Sequence, residues 1–385
     1  MDKIKLGDLC IPSAGQIKED ADELIDYIDI SSVDNETKKV TGFQTMSFGE
    51  SPSRARKAVK KGSILVSTVR PNLNAVAMLE EDTPNISVAS TGFCILDCKD
   101  NVDNRFVFNF CKSKTFIDDM VSQATGASYP AVSDKIVRSA LVPNYTYEEQ
   151  CNISEILDKV SKVIEDRKAE LLALDDLIKA RFVELFGDPV AHLDRGETVK
   201  LDTIADKITV GFVGEASNEY ADEGVPYLRT QNVRVNRIDL NGLIYVNESF
   251  HNKNQKSIIH PGDVVISRVG VNRGMAAMVP DSLPEANIAN CLIVGKNDNI
   301  NSYYLAFYMN MSFGKRPQFG ASVGSAQGVV NTSILKKWEV YVPDRQMQDD
   351  FFEFAKQVDK SKVAVQKALD EAQLLFDSLM QQYFG

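Results

Sequence analysis

The chain has 385 residues, of which 44% are hydrophobic and 25% charged, as expected for a soluble globular protein of two or three domains. It contains no apolar run of about 18 residues, so we expect no membrane span. Residues 1–10 lack the apolar stretch of a secretory signal, which indicates a cytoplasmic protein.

The net charge of −11 argues at first against nucleic-acid binding, but the charge is unevenly distributed. Counted from the sequence, segments 144–190 and 344–385 have net charges of −5 and −3. Segment 1–143 has a net charge of −3, and segment 191–343 is neutral. The two larger segments can therefore each present a basic face.

The chain contains two similar halves, related by a shift of about 200 residues. Residues 60–69 read KKGSILVSTV, and residues 260–269 read HPGDVVISRV. Shorter matches follow in the same order: Lys5-Leu6 with Lys200-Leu201, Tyr27 with Tyr227, and Val142-Pro143 with Val342-Pro343. We predict a duplicated unit with a globular domain at 1–143, a long helix at 144–190, a second domain at 191–343 and a second helix at 344–385.

Each globular domain is predicted to be mixed α+β with a compact sheet. Strand-like runs rich in β-branched residues follow glycine turns at 63–69 and 263–267, and similar runs occur at 93–96 and 292–294. Helices are predicted at 105–120 and 302–311. The fold class is therefore α+β, with two α/β domains separated by long helices.

The two long helices carry apolar residues at alternating steps of four and three, which is typical of a coiled-coil seam. Two copies in one chain can cover each other's seams. The sequence leaves the relative direction open, but a two-fold relationship favours antiparallel packing. The predicted seam residues are Ile153, Leu157, Val160, Ile164, Leu171, Leu174, Ile178, Leu185, Phe351, Val358, Val365, Leu369, Phe376 and Leu379.

The length of these helices suggests a spacing function. About 33 helical residues at ~1.5 Å each span roughly 50 Å. That length equals roughly 15 base pairs of duplex DNA. Two reading domains held by such a helix pair would contact two short DNA sequences separated by an untouched gap.

The sequence lacks the motifs of common catalytic, metal and cofactor sites. It contains no Walker P-loop, HExxH or GxSxG motif, and no glycine-rich S-adenosylmethionine fingerprint. Its three histidines, His192, His251 and His260, form no motif, and Cys94 and Cys98 are the only close pair among six cysteines. We therefore predict reduced thiols, no metal, no cofactor and no catalytic residues in this chain.

Arginine and asparagine side chains, which can bind guanine and adenine edges through two hydrogen bonds, cluster near the predicted strand ends. In the first domain the candidates for DNA contact are Arg54, Arg56, Lys57, Arg70, Asn72 and Asn74. In the second domain they are Arg229, Gln231, Asn232, Arg234, Arg268, Asn272 and Arg273, with Arg237 nearby.

Two loops rich in small residues, 125–133 and 320–331, lie late in each domain. Small residues let the backbone approach a ligand closely, and backbone N–H groups can bind phosphates. These loops, together with Lys315 and Arg316 just before the second loop, add six candidates for DNA contact: Ser128, Tyr129, Lys315, Arg316, Ser325 and Gln327.

Over essentially its whole length the sequence resembles the specificity subunits of type I restriction–modification systems. The resemblance lies in the two-copy plan, the entry Glu148-Glu149-Gln150 after Val142-Pro143, and the helix end Leu185-Phe186-Gly187. It also lies in the loops near Gly126 and Gly324 and in the strands after Gly62 and Gly262. At the second helix Gln346-Met347-Gln348 replaces the acidic entry, which leaves the register of that end open.

The resemblance implies two target-recognition domains, each reading half of a split double-stranded DNA site, and an antiparallel helical spacer. It implies that two methyltransferase subunits dock on the chain and that restriction subunits join the full complex. S-adenosylmethionine, ATP and Mg²⁺ would then be bound by those partners.

Two other functions remain open from the residues alone. The first is a two-domain protein-interaction scaffold, in which the basic clusters are incidental. The second is an enzyme with an unrecognised nuclease or methyltransferase site.

Overall fold

The computed structural model describes residues 2–12, 16–312 and 329–385 and divides into two compact units. The first unit comprises Met1–Glu170 and Val365–Gly385, and the second comprises Leu171–Ala364. Each unit thus contains one globular domain together with part of both long helices.

The first domain alternates short strands and helices before the first long helix. Its strands are β1 (Lys3–Lys5), β2 (Leu24–Ile28), β3 (Gln44–Ser47), β4 (Ala55–Ala58), β5 (Ile64–Ser67), β6 (Val76–Met78), β7 (Ile86–Ser90), β8 (Phe93–Leu96) and β9 (Leu141–Pro143). Its helices are α1 (Leu6–Leu9), α2 (Asn104–Lys112), α3 (Lys114–Gln123) and α4 (Asp134–Ser139), and α5 (Tyr147–Phe186) is the first long helix.

The second domain contains more and shorter strands. These are β10 (Thr198–Lys200), β11 (Ile208–Val210), β12 (Tyr220–Ala221), β13 (Val225–Leu228), β14 (Val233–Arg234), β15 (Arg237–Ile238), β16 (Ile244–Val246), β17 (Ile258–Ile259), β18 (Val264–Ser267), β19 (Ala276–Met278), β20 (Ala286–Ile288), β21 (Cys291–Val294) and β22 (Glu339–Tyr341). The helices are α6 (Pro189–Asp194), α7 (Glu248–Lys253), α8 (Ser302–Ser312), α9 (Thr332–Lys336) and the second long helix α10 (Arg345–Phe384).

Both domains repeat one topology, which confirms the predicted duplication. In the first, β5 pairs antiparallel with β6 and β8, and β2 pairs parallel with β7. In the second, β18 pairs antiparallel with β19 and β21, and β13 pairs parallel with β20. The terminal strands β1 and β9 pair, as do β10 and β22.

The central strands explain why short apolar runs suffice for this fold. Ile64 and Val66 pack on one face of β5 against α2, while Leu65 packs into a separate core on the other face. Val264 and Ile266 likewise face α8, and Val265 lies in a second core. Successive side chains point to opposite faces, so a strand buried on both faces reads as a continuous apolar run.

The predicted helix at 105–120 is wrong as a single element, because Ser113 divides it. The Ser113 hydroxyl accepts a hydrogen bond from the Phe116 amide at 3.2 Å and caps α3. Capping at this point allows α3 to start in a new direction after α2. The predicted helix at 302–311 corresponds to α8.

The long helices pack antiparallel, which settles the direction that the sequence left open. In the first unit, Ile153 and Leu157 near the start of α5 share a core with Met380 and Phe384 at the end of α10. In the second unit, the end of α5 meets the start of α10. The ring centres of Phe182 and Phe186 lie 5.4 and 5.7 Å from the ring centre of Phe351. No helix among the described residues has the length and apolar character needed to cross a membrane.

All fourteen predicted seam residues are covered to some extent in the structure. Ile153, Leu157, Ile164, Ile178, Phe351, Val358 and Val365 are buried, and Val160, Leu171, Leu174, Leu185, Leu369, Phe376 and Leu379 are half-buried. Phe182, Phe186 and Phe384, which are also buried near the helix ends, are not among the predicted seam residues. They pack against the globular domains, so the register set by the helix pair alone does not include them.

A buried glutamine fixes the start of each long helix to its domain. The Gln150 side chain accepts a hydrogen bond from the Asp103 amide at 3.1 Å and donates one to the Tyr145 carbonyl at 2.9 Å. Gln348 repeats this arrangement with the Asn301 amide and the Pro343 carbonyl, both at 2.8 Å. Gln348 is therefore the counterpart of Gln150, which determines the register of the second helix entry.

We predict that Gln348→Met destabilises the second unit by about 2 to 4 kcal/mol, because it leaves the Asn301 amide and the Pro343 carbonyl buried without partners. The single tryptophan, Trp338, is buried in the core of this unit, so its fluorescence during urea unfolding reports the change. Gln357→Met on the exposed side of α10 is the matched control. Equal changes in the free energy of unfolding for the two variants would show that the Gln348 hydrogen bonds contribute nothing specific to stability.

Lys112 is a cation held against aromatic rings in the first unit. Its ammonium lies 4.2 Å from the centre of the Phe108 ring and 5.9 Å from that of Phe376. Loss of contact with water lowers the pKa of Lys112 to about 8, against an ordinary value of 10.5. The unfolded chain therefore binds this proton more tightly, and the stability of the unit increases as the pH rises from about 8 toward 10.

We predict that Lys112→Met stabilises the first unit at pH 7 by about 1 to 2 kcal/mol, after allowance for partial solvent screening and the lost cation–π contact. The difference from wild type should shrink as the pH approaches 10, because the folded-state lysine is then neutral and the unfolded-state lysine begins to lose its proton. Urea unfolding followed by circular dichroism between pH 7 and pH 10 measures it. Lys114→Met, at an exposed lysine, is the control, and a Lys112 effect independent of pH would contradict the prediction.

Candidate nucleic-acid interface

The same backbone frame forms a loop cluster in both domains. After β5, the Thr68 amide donates to the Gly92 carbonyl at 2.8 Å, and the Thr68 carbonyl accepts from the Val132 amide at 2.9 Å. After β18, the Arg268 amide donates to the Asn290 carbonyl at 3.3 Å, and the Arg268 carbonyl accepts from the Val330 amide at 3.2 Å. Main-chain bonds thus fix both loops whatever side chains they carry.

Backbone conformation also repeats within these loops. Arg70 and Gly270 both have positive φ angles, of 49° and 77°, and so do Asn74 and Gly274, at 46° and 85°. Arginine is rarely found in this conformation, which costs on the order of 1 kcal/mol outside glycine and asparagine. Such strain at an exposed arginine is typical of a residue retained for a function.

The first domain has an open cleft of about 370 Å³ at this loop, lined by Asp29, Arg54, Arg70 and Tyr129, among others. Arg54 donates from Nε to the Tyr27 hydroxyl at 3.0 Å and from Nη2 to Asp29 at 2.6 Å. These two contacts, the Tyr27 bond first, raise the pKa of Arg54 above its ordinary value. The guanidinium is held in one orientation while 56% of the side chain stays exposed.

The second arginine of this cleft stacks on a tyrosine. The Arg70 guanidinium lies 4.6 Å from the centre of the Tyr129 ring, and Tyr129 is 62% exposed. The predicted contact residues Asn72 and Ser128 are also exposed. Oriented guanidinium groups and an accessible aromatic face can bind phosphates, base edges and base faces.

Three predicted contact residues of the first domain are instead occupied within the fold. Lys57 donates to the Phe93 carbonyl and to Asp134, each at 2.6 Å. The Asn74 amide is buried and donates to the Cys111 carbonyl at 2.9 Å. Arg56 donates to the Ala55 carbonyl and lies over the Phe48 ring. These contacts argue against a direct role in DNA contact.

The second domain presents a different set of arginines on the same frame. Arg229 occupies the position after β13 that Asp29 occupies after β2, and each residue begins a 3₁₀ turn. The Nε atoms of Arg229 and Arg268 are buried and make no hydrogen bond within the part of the chain that the structure describes. A guanidinium without a carboxylate partner favours an anionic ligand.

Two asparagines predicted to contact DNA hold these loops together instead. The Asn232 side chain accepts from the Arg229 amide and donates to the Asp239 carbonyl, both at 2.9 Å. The Asn272 side chain donates to the Thr230 and Val233 carbonyls, both at 3.1 Å. Asn232 and Asn272 are both buried, which argues against direct contact with DNA.

The remaining candidates of the second domain lie at or near the surface. Gln231 and Arg237 are exposed, Arg273 is half-buried, and Arg234 lies 3.9 Å from Asp239 with 43% of its side chain exposed. Four candidates lie outside the described residues: Lys315, Arg316, Ser325 and Gln327.

Sequence reasoning missed the residues that orient the arginines. Tyr27 and Asp29 lie 27 and 25 positions from Arg54, and only the sheet that contains β2, β7 and β4 brings them together. The match of Tyr27 with Tyr227 is the sequence signal for this position, because it marks the same strand end in both copies. Within the described ranges, no group of three histidine, cysteine or acidic residues is placed to hold a metal ion.

Comparison with known proteins agrees with the two-domain plan. A family model described as the type I restriction modification DNA specificity domain matches residues 1–173 and 194–372. The MjaVIII specificity subunit of a type I restriction enzyme from Methanocaldococcus jannaschii is 22% identical over 291 residues, which cover 69% of this chain and 68% of that protein.

Two solved structures share the fold across the whole chain. One, from work on complex assembly and conformational transition of the type I R-M system, is 21% identical with a TM-score of 0.63, covering 100% of this chain and 97% of that one. The S subunit from M. genitalium is 15% identical with a TM-score of 0.58, covering 100% and 96%. Because the family model matches most of the chain, and does so twice, the chain belongs to the type I restriction–modification specificity family and carries two of its DNA specificity domains.

Proposed function

We propose that this chain is the non-catalytic DNA-recognition subunit of a type I restriction–modification complex. Each domain reads one half of a bipartite site in double-stranded DNA. Two methyltransferase subunits dock on the chain, and restriction subunits join them. S-adenosylmethionine, ATP and Mg²⁺ are bound by those partners, so this chain contributes the choice of sequence.

The observation that carries the proposal is the repeated loop frame with different arginines in each copy. The first domain presents Arg54, oriented by Tyr27 and Asp29, and Arg70, stacked on Tyr129. The second presents Arg229 and Arg268, whose buried Nε atoms have no partner among the described residues. The two domains share the backbone of this loop cluster but display different side chains. This supports domains that recognise different DNA sequences, and hence an asymmetric site.

The long helices supply the surface for the protein partners. Segments 144–190 and 344–385, which contain these helices, are acidic, and the helices also expose apolar side chains that no other described residue covers. Leu172 on α5 is 67% exposed, and Val363 and Leu374 on α10 are each 72% exposed. Exposed apolar residues among charges are typical of a protein–protein interface, so we assign these helix faces to the methyltransferase subunits.

We predict that Arg54→Ala relaxes the half-site read by the first domain and lowers affinity for the specific duplex about 10-fold to 100-fold. Arg268→Ala should do the same for the other half-site only. The measurements are methylome sequencing of the host carrying each variant and fluorescence anisotropy of the assembled methyltransferase complex. Lys114→Ala is the control, because this exposed lysine forms an ion pair with Asp118 in the next turn of the same helix.

Two outcomes would contradict this function. If both variants altered the same half-site, the two domains would not read separately. If the wild-type complex bound specific and random duplex equally at every salt concentration, the chain would not select DNA sequence, and the scaffold alternative would be favoured. Phosphate contacts alone would give affinity that falls steeply with salt but does not depend on sequence.

We further predict that the helix pair sets the gap between the half-sites. Deleting one heptad from 150–187 together with its antiparallel partner heptad in 348–385 keeps the seam in register and shortens each helix by about 10 Å. The methylated motif should then have a gap about three base pairs shorter, with both half-sites unchanged. Methylome sequencing reads both quantities, and an unchanged gap in a folded, active variant would contradict the spacer function.

A further inference from the structure

The loop at 268–274 of the second domain displays an apolar side chain that is fully open to solvent. Val271 is 99% exposed, more than any other large hydrophobic residue in the described parts of the chain. A single exposed valine is common on protein surfaces and needs no explanation by itself. The feature that matters here is how firmly the loop holds it.

Hydrogen bonds fix the chain on both sides of Val271. Gly270 has a φ angle of 77°, and its carbonyl accepts from the Arg273 amide at 3.1 Å. The buried side chain of Asn272 donates to two carbonyls of the neighbouring loop, those of Thr230 and Val233. The Gly274 amide then returns to the Ser267 carbonyl at 2.7 Å. Val271 therefore projects from a rigid tip.

The surroundings of Val271 are cationic. Segments 229–234 and 268–274 contain four arginines and no acidic residue. Asn272 ties the two segments together, and the Nε atoms of Arg229 and Arg268 lack a partner among the described residues. Arg234 lies 3.9 Å from Asp239, so the relevant charges are those of Arg229 and Arg268. An apolar tip near these two guanidinium groups suits a polyanion that also carries an apolar group. Double-stranded DNA is such a ligand, because each thymine presents a 5-methyl group in the major groove.

The first domain lacks this feature at the matching position. Pro71, at the place of Val271, is buried, while its neighbours Asn72 and Leu73 are exposed. Both loops begin and end with positive φ angles, and yet the residue exposed in the second loop corresponds to a buried residue in the first. At this loop position, an exposed apolar side chain is thus found in the second domain alone.

We propose that Val271 contacts the 5-methyl group of a thymine in the half-site read by the second domain, and so specifies thymine at that position. This inference rests on the proposed function, because it names a base contact of that DNA site. Loss of one buried methyl contact should weaken binding roughly threefold to fivefold. The effect should be confined to one base pair.

The test uses the complex assembled with its methyltransferase subunits and duplexes in which each thymine of the recognised site is replaced singly by deoxyuridine, which lacks the methyl group. Wild type should lose roughly threefold to fivefold in affinity at one position of the second half-site. Val271→Ala should bind the thymine duplex more weakly and no longer distinguish thymine from deoxyuridine there. Val199→Ala is the control, since Val199 is 41% exposed on β10 and lies outside both loop segments.

The outcomes separate this inference from the function on which it rests. If binding is sequence-specific but Val271→Ala removes no thymine preference, or if the second half-site has no thymine, the Val271 contact is refuted and the function stands. If Val271→Ala impairs assembly with the methyltransferase instead, Val271 is a protein contact and the inference is again refuted. Absence of specific binding by the wild-type complex would overturn the function itself.

Discussion

The apolar seam of each long helix must be covered, and the rest of the structure depends on how this is done. A helix within a protein gains most of its stability from packing of its apolar face, and each of these helices is 40 residues long with apolar residues every three or four positions. Antiparallel packing lets the start of one helix and the end of the other share a core within each unit. Aromatic rings complete each core: the ring centres of Phe384 and Phe106 lie 5.2 Å apart, and those of Phe182 and Phe307 lie 5.0 Å apart. A globular domain and both helices therefore stabilise each other as one core.

The duplication separates the part of the fold that is fixed from the part that varies. Main-chain hydrogen bonds hold the loops after β5 and β18, and buried glutamines hold both helix entries. None of the main-chain bonds depends on the side chains that the loops display. The sequence can therefore change Asp29 to Arg229 in the second copy without a change in backbone path. Such a frame permits two specificities in one chain.

Features with a local cause could be predicted from the sequence. The seam has a period that can be counted, and the doubly buried strand at 63–69 reads as an apolar run, so both were found. The parallel pairing of β2 with β7 joins residues about 60 positions apart, and no local pattern marks it. The asparagines show the same limit for the site. Asn74, Asn232 and Asn272 have the right chemistry to read adenine, but their amides bind backbone groups of the fold, and residue type alone cannot distinguish these uses.

The exchange of Asp29 for Arg229 gives the loop clusters of the two domains different electrostatics. In the first domain Asp29 neutralises part of the charge of Arg54 and in return fixes its direction, which favours geometric selection of a base edge over plain attraction. In the second domain Arg229 and Arg268 gain no such orientation from a carboxylate among the described residues, and their charge is less compensated. Attraction to phosphate, which salt screens, should therefore contribute more to the second reader, and oriented hydrogen bonds more to the first. The loop tips follow the same division: Arg70 is stacked on Tyr129 in the first domain, whereas in the second an uncovered valine supplies shape where charge alone would not discriminate.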